Sequence, residues 1–270
     1  MAVEMSPQVL REFGPRRRPL VHLLARAQVL RSASRYVQRR VLGPPLASPS
    51  DAEARVLPGF DAAAASFRQQ GWTFVDPFFD WEFFAALRAG WPPRRFFAPM
   101  KNPLKSYDNG FSWHRNRGPR NVEFLDRFPA FERAYDMFRS QEFAERVTKF
   151  CGDGVSRSCF SLKSTWASSG SALIPHRDTN ANRMGPGGAI NVVVFVDANG
   201  KPPYAGGTCI LADNEYQRIL FEPTKLTNTA LIYQLDAEFF HGFKPVARGA
   251  FRWAILAQYA DIAQKGNLPD

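Results

Sequence analysis

The chain has 270 residues, 35 lysines and arginines against 25 acidic residues for a formal charge of +10, and 45% hydrophobic residues including 24 phenylalanines. That apolar share can offset ordering entropy, which excludes a disordered, collagen-like or low-complexity chain. No run reaches the roughly 18 consecutive apolar residues of a spanning helix, so none is expected. Cys151, Cys159 and Cys209 are odd in number and lack the CxxC spacing of a metal site, which suits a reducing, cytoplasmic compartment.

Residues 1–50 hold nine arginines against Glu4 and Glu12 and read as a basic extension. Leu20, Leu23, Leu24, Ala27, Leu30, Val37 and Val41 recur at helical spacing between arginines, predicting a basic amphipathic helix. Residues 16–43 could then make peripheral contact with an anionic membrane, or pack on the protein with a solvated arginine face. The prolines between 44 and 49 mark a linker.

Residues 51–155 read as a helical support region, forming one domain with residues 156–262. Asp61–Gln70 predicts a short helix ending at Gly71, Trp72–Val75 a strand, and Asp80 caps a helix that stops at Gly90. Phe131–Phe150 carries an apolar set at helical spacing, closed by Gly152, and predicts one longer helix. Between them, Arg94, Arg95, Lys101, Lys105, Arg115, Arg117 and Arg120 face only Asp108. Prolines and glycines break every local pattern there, which predicts a basic loop. Arginines in it, Arg115 and Arg117 in particular, could clamp a carboxylate or phosphate through their planar forks.

From Ser156 the texture changes to short apolar runs bounded by turn residues: 159–166, 171–175, 189–196, 208–211, 216–221, 230–235, 240–246 and 251–259. Eight short strands over 156–262 predict a mainly β protein with flanking helices, its core a sandwich or barrel of jelly-roll type. Residues Gly185–Gly188 read as a turn or a lip over a site, since no P-loop lysine comes after them.

Two of the four histidines, His176 and His241, fall at strand edges in this region, with Asp178 two residues after the first. Side chains at i and i+2 of a strand share a face, so His176 and Asp178 can converge while Arg177 turns away. If the strand of His241 lies beside theirs, two imidazoles and a carboxylate form a facial triad with open positions, suited to Fe(II) and oxygen. A histidine satisfied within the fold is the alternative for any one of them.

The order His176-Arg177-Asp178, the apolar stretch 189–197, Gly206-Gly207-Thr208, the apolar run 230–235, His241-Gly242-Phe243-Lys244-Pro245-Val246, then Arg252-Trp253 resembles the 2-oxoglutarate- and Fe(II)-dependent oxygenases, in particular their prolyl-hydroxylase-like branch. The resemblance covers about 156–260. It implies a double-stranded β-helix and a metal held by His176, Asp178 and His241. It also implies Fe(II), 2-oxoglutarate and O2 as cofactors, with Arg252 holding the distal carboxylate of the cosubstrate. The reaction it implies is hydroxylation of an unactivated C–H coupled to oxidation of 2-oxoglutarate to succinate and CO2.

Asn191 could hydrogen-bond the cosubstrate or cap a neighbouring carbonyl, and Lys163 and Trp166 could line the substrate pocket. His114 reads as a surface histidine or a substrate contact. The presence of Asp178 argues against halogenation. Trp166 and Leu173 stand where prolyl hydroxylases commonly have tyrosines, and Arg248 and Arg252 are four rather than six apart, against base demethylation. The expected substrate is an anionic small molecule or a lipid- or carrier-linked one, not nucleic acid. A peptidyl prolyl-type hydroxylase and a non-oxidative metalloprotein, an isomerase or hydrolase, are the alternatives.

Overall fold

The computed structural model describes residues 52–100, 105–115, 118–120, 122–178, 188–200, 204–235 and 238–261. The expected helix over 20–42, Arg117 and the turn at 185–187 lie outside them. Among the described residues no helix is long and apolar enough to cross a membrane.

In chain order the elements are α1 (Gly59–Ala62), α2 (Ala64–Gln70), β1 (Trp72–Val75), α3 (Trp81–Ala89), β2 (Ala98–Pro99), β3 (Asp108–His114), β4 (Gly118–Arg120), α4 (Pro129–Arg139) and α5 (Gln141–Cys151). They continue with β5 (Ser158–Ser168), β6 (Leu173–His176), β7 (Ala189–Asn199), β8 (Cys209–Leu211), β9 (Ile219–Phe221), β10 (Thr229–Gln234), β11 (Phe240–Phe243) and β12 (Phe251–Ala260). Each of the eight strands expected after Ser156 is present.

The strands form a major sheet in the order β1-β10-β7-β12-β5-β3-β2, with β4 paired to β3, and a minor sheet β6-β11-β8-β9. All pairings are antiparallel. The helices cover one face of the major sheet, and its other face packs against the minor sheet. Strand β7 shows why: Ile190, Val192, Val194 and Val196 meet the helices, whereas Ala189, Val193 and Phe195 meet the minor sheet. A strand buried on both faces must be apolar throughout, and each fully buried Val, Ile or Phe contributes roughly 1.5–3 kcal/mol.

The helix–sheet interface is a continuous aromatic layer. Phe60 stacks on Phe150, Phe78 meets Phe79 edge-on, and Phe138 packs against Phe143, which in turn meets Tyr259 of β12. Much of the phenylalanine excess is therefore structural. Arg146 of α5 pairs with Asp61 of α1, and the buried Arg157 pairs with Asp153 within the turn that connects α5 to β5.

Two sequence expectations are corrected here. The segment 131–150 is two helices, because Ser140 takes an extended conformation and its hydroxyl accepts the Phe143 amide at 3.1 Å, capping α5. The basic segment 94–120 is not loop throughout: β3 pairs with β5 and extends the major sheet. Gly110 makes that pairing feasible, since a Cβ there would sit 2.6 Å from Ser164 Oγ and 2.7 Å from the Phe97 ring. Within this run the exposed Arg94 reaches Asp108 and the Ser168 hydroxyl. The three cysteines are free and buried.

Candidate metal centre and its cavity

Strands β6 and β11 are neighbours, and in their ladder His176 lies directly opposite His241. Gly242 allows this approach, because a Cβ there would stand 2.7 Å from the Leu173 carbonyl and 2.9 Å from the Tyr216 hydroxyl. Asp178, just past the end of β6, places Oδ1 3.5 Å from His176 Nε2 and Oδ2 3.5 Å from His241 Nε2. One ligand atom from each of the three residues falls within 4.8 Å of the others. Arg177 turns away, its guanidinium 4.5 Å from the centre of the Phe240 ring and donating to the Glu238 carbonyl.

The chemistry of these groups fits a divalent cation. His176 Nδ1 lies 2.8 Å from the Ile174 carbonyl, which can only accept, so the proton sits on Nδ1 and the Nε2 lone pair is free. That Nε2 is buried and has no hydrogen-bond partner. Burial pulls His241 down to about 3, against the opposing pull of Asp178, and so keeps its imidazole neutral. For Asp178 burial works to raise the carboxyl. The adjacent His176 and His241 rings and the charge of Lys105 outweigh it and hold the carboxylate ionised, well below its usual range. Two imidazoles and an ionised carboxylate converging from one side on a shared point are the donor set of a facial triad.

Asp178 and His241 of the triad line a cavity of about 320 Å³ between the two sheets. Along β12 its wall rises in layers set by strand register. At the deep end is Arg252, with Thr165 one layer up, then Leu256 beside Lys163 and Val193, then Gln258 beside Ser161 and Asn191.

Arg252 is 3% exposed and donates to the Gly206 carbonyl at 3.0 Å and the Thr165 hydroxyl at 3.3 Å. Its Nε has no partner, and among the described residues no carboxylate pairs with it. The Phe243 ring covers it at 4.7 Å. Burial lowers the guanidinium to about 10, with the Tyr107 and Tyr233 hydroxyls working against the shift, so it stays charged at neutral pH. A buried guanidinium with a free N–H edge and no acid beside it has the chemistry to receive an anion.

Asn191 is buried, lines the cavity and accepts from Gln258 Nε2 at 2.8 Å. Lys163 lines the cavity as expected, and burial pushes its ammonium down to about 7, with Lys105 adding to the shift and Asp178 opposing it. Trp166 does not line it. Its ring meets Phe97 and Trp253 on the helix-covered face, because residues 163 and 166 of one strand must point to opposite faces. Arg115 is exposed beyond β3 and is not a lining residue, whereas its neighbour His114 is. Sequence reasoning missed Tyr107 and Tyr233 at the cavity, and named the basic run without singling out Lys105. Only the pairing of β3 with β5 and of β10 with β7 brings the two phenols there.

No protein-family model and no curated protein matches the chain. Solved structures do. A prolyl hydroxylase from Trichoplax adhaerens, in complex with a hypoxia inducible factor degradation-domain peptide, superposes with TM-score 0.56 at 13% identity, covering 78% of this chain and 93% of that one. A 2OG-Fe(II) oxygenase-family oxidoreductase from Burkholderia pseudomallei matches with TM-score 0.51 at 14% identity, over 79% and 96%. The non-heme alpha ketoglutarate dependent epimerase SnoN of nogalamycin biosynthesis matches with TM-score 0.52 at 14% identity, over 75% and 80%. The chain has the double-stranded β-helix fold of the 2-oxoglutarate- and Fe(II)-dependent oxygenases.

Proposed function

We propose that the chain is an Fe(II)- and 2-oxoglutarate-dependent dioxygenase that hydroxylates an unactivated C–H of a small-molecule or carrier-linked substrate, producing succinate and CO2 from the cosubstrate. His176, Asp178 and His241 would hold Fe(II), and Arg252 would bind the distal carboxylate of 2-oxoglutarate. Bound iron supplies the activation of oxygen, and the protein supplies positioning and charge. The Nδ1–H of His176 fixes the ring on the Ile174 carbonyl, and Asp178 remains ionised to neutralise part of the ion's charge. Arg252 presents a planar, permanently charged donor set to a carboxylate brought out of water. The Asn191–Gln258 pair and the Tyr233 hydroxyl offer polar contacts above it, and the apolar walls at Leu256, Val193 and Phe243 exclude solvent.

The observation that carries this reading is the unpaired Nε edge of the buried Arg252, in the same cavity as the triad. A metalloprotein doing isomerisation or hydrolysis needs no such partner for a second carboxylate. Expected substrates are anionic, since Asp178 is the only acidic side chain among the described lining residues. A cytoplasmic location and membrane contact through residues 16–43 belong to this reading as well. The test is succinate formation by anaerobically purified, Fe(II)-loaded protein after oxygen and 2-oxoglutarate are admitted, followed by a search for substrates that gain one oxygen. Absence of both metal-dependent 2-oxoglutarate binding and succinate would overturn it.

A further inference from the structure

The cavity contains more positive charge than the cosubstrate accounts for. Besides Arg252, its lining includes Lys163 and Lys105, and its only described acid, Asp178, already lies between two imidazoles. Among the described residues neither ammonium makes a hydrogen bond or an ion pair. Two half-buried ammonium groups without partners, directed into one cavity that has a single described acid, leave an excess of positive charge for an anionic ligand to balance.

Lys163 and Arg252 belong to different layers of the wall, although the guanidinium reaches up to Thr165, two residues from Lys163 on β5. On β12, Leu256 is the residue opposite Lys163 and lies four residues from Arg252, about 13 Å of extended strand at ~3.3 Å per residue. Lys105 comes from a different wall, where it bridges to Leu173 of β6. The lysines thus approach the space before the triad from two sides. Ammonium groups on flexible stems act as point charges, and two of them suit a compact anion reached from opposite directions.

We propose that Lys105 and Lys163 form a second anion subsite, which takes a carboxylate or phosphate group of the substrate and holds it beside the triad. The proposal rests on the oxygenase reading of the cavity and narrows its substrate to one oxidised near an anionic group. Lys163 then fixes which carbon faces the metal.

The test uses the full chain loaded with Co(II) and saturated with 2-oxoglutarate under argon, titrated calorimetrically with inorganic phosphate and, separately, with acetate. At least one anion should bind the wild type with 2-oxoglutarate in place. Its affinity should fall at least tenfold in Lys105→Met and in Lys163→Met, become undetectable in the double variant, and stay within about threefold in Lys163→Arg. Which of the two anions binds tells a phosphate-bearing substrate from a carboxylate. Lys163→Met should melt no lower than the wild type without ligand, because methionine fills similar volume and removes an unpaired charge.

Binding unchanged in the double variant, or no binding of either anion to the wild type, overturns the subsite. Displacement of 2-oxoglutarate one for one also overturns it, since the lysines would then serve the cosubstrate. Lysine-dependent phosphate binding by a protein that fails to bind 2-oxoglutarate would instead sink the oxygenase reading and leave the subsite standing.

Discussion

His176 and His241 stand directly opposite one another across the β6–β11 ladder, with ring centroids 4.4 Å apart. Strands on either side of this pair fix it: β8 continues the sheet beyond β11, and Tyr233 of β10 lays its ring 4.9 Å from His241. The triad is thus a property of strand register, and the 64 residues of intervening chain matter only through the pairing they permit.

Replacing any one of these ligands should abolish the centre. Each of His176→Ala, Asp178→Asn and His241→Ala is expected to lower bound Fe(II), read by elemental analysis after gel filtration, and to cut succinate formation by at least about a hundredfold. Retention of stoichiometric iron in His241→Ala would contradict the assignment.

Arg252→Gln should act on the cosubstrate while sparing the metal. Losing a buried, charge-assisted partner costs about 2–3 kcal/mol, or roughly 30–150-fold in 2-oxoglutarate affinity. Calorimetry on the metal-loaded variant measures it, with metal content unchanged. Arg252→Lys should recover only part of the loss, since an ammonium lacks the planar fork.

Gly242→Ala tests the close approach of β11 to β6. The added methyl meets the Leu173 carbonyl and the Tyr216 hydroxyl well inside contact distance, so the strands must separate next to His241. Metal affinity should fall about 10- to 100-fold, as when a group that orients a ligand is removed. A metal titration followed by competition with a chelator reads this out.

Asp153 supplies an acid-sensitive part of the stability. The hydrogen bonds from Arg157 hold its carboxyl below its ordinary value, against the effect of partial burial. A carboxyl with a depressed folded pKa stabilises fully above its unfolded value near 4 and loses that contribution as pH falls below it. Melting temperature should therefore drop as pH is lowered beneath about 4. Asp153→Asn should destabilise by about 1–2 kcal/mol at pH 7, because it leaves the buried guanidinium with a weaker acceptor. The difference between the two proteins should shrink on acidification.

Most strand ends are legible along the chain. The run 189–196 corresponds to β7 at 189–199, and 251–259 to β12 at 251–260, because these strands are buried on both faces and turn residues bound them. The break at Ser140 is hidden, since Phe138 and Phe143 continue the apolar spacing across it, although a serine three residues before a buried phenylalanine is a capping signal. Strand β3 is invisible locally: Gly110 within it and the prolines on either side spell a loop, and only the hydrogen bonds to β5 make it a strand. Trp166 falls on the helix side rather than in the cavity, a separation from Lys163 that period-2 alternation already contains.

Chemical identity is therefore written in the sequence. A histidine and an aspartate two apart, a second histidine followed by glycine, and an arginine eleven residues later are local facts, and the residue types themselves dictate ligand chemistry. What the tertiary structure alone decides is which charges share a space. Lys105, Lys163 and Arg252 come from segments that converge only through sheet register, and no pattern along the chain encodes that distance, because pairing between strands remote in sequence is set by how the whole apolar surface is buried.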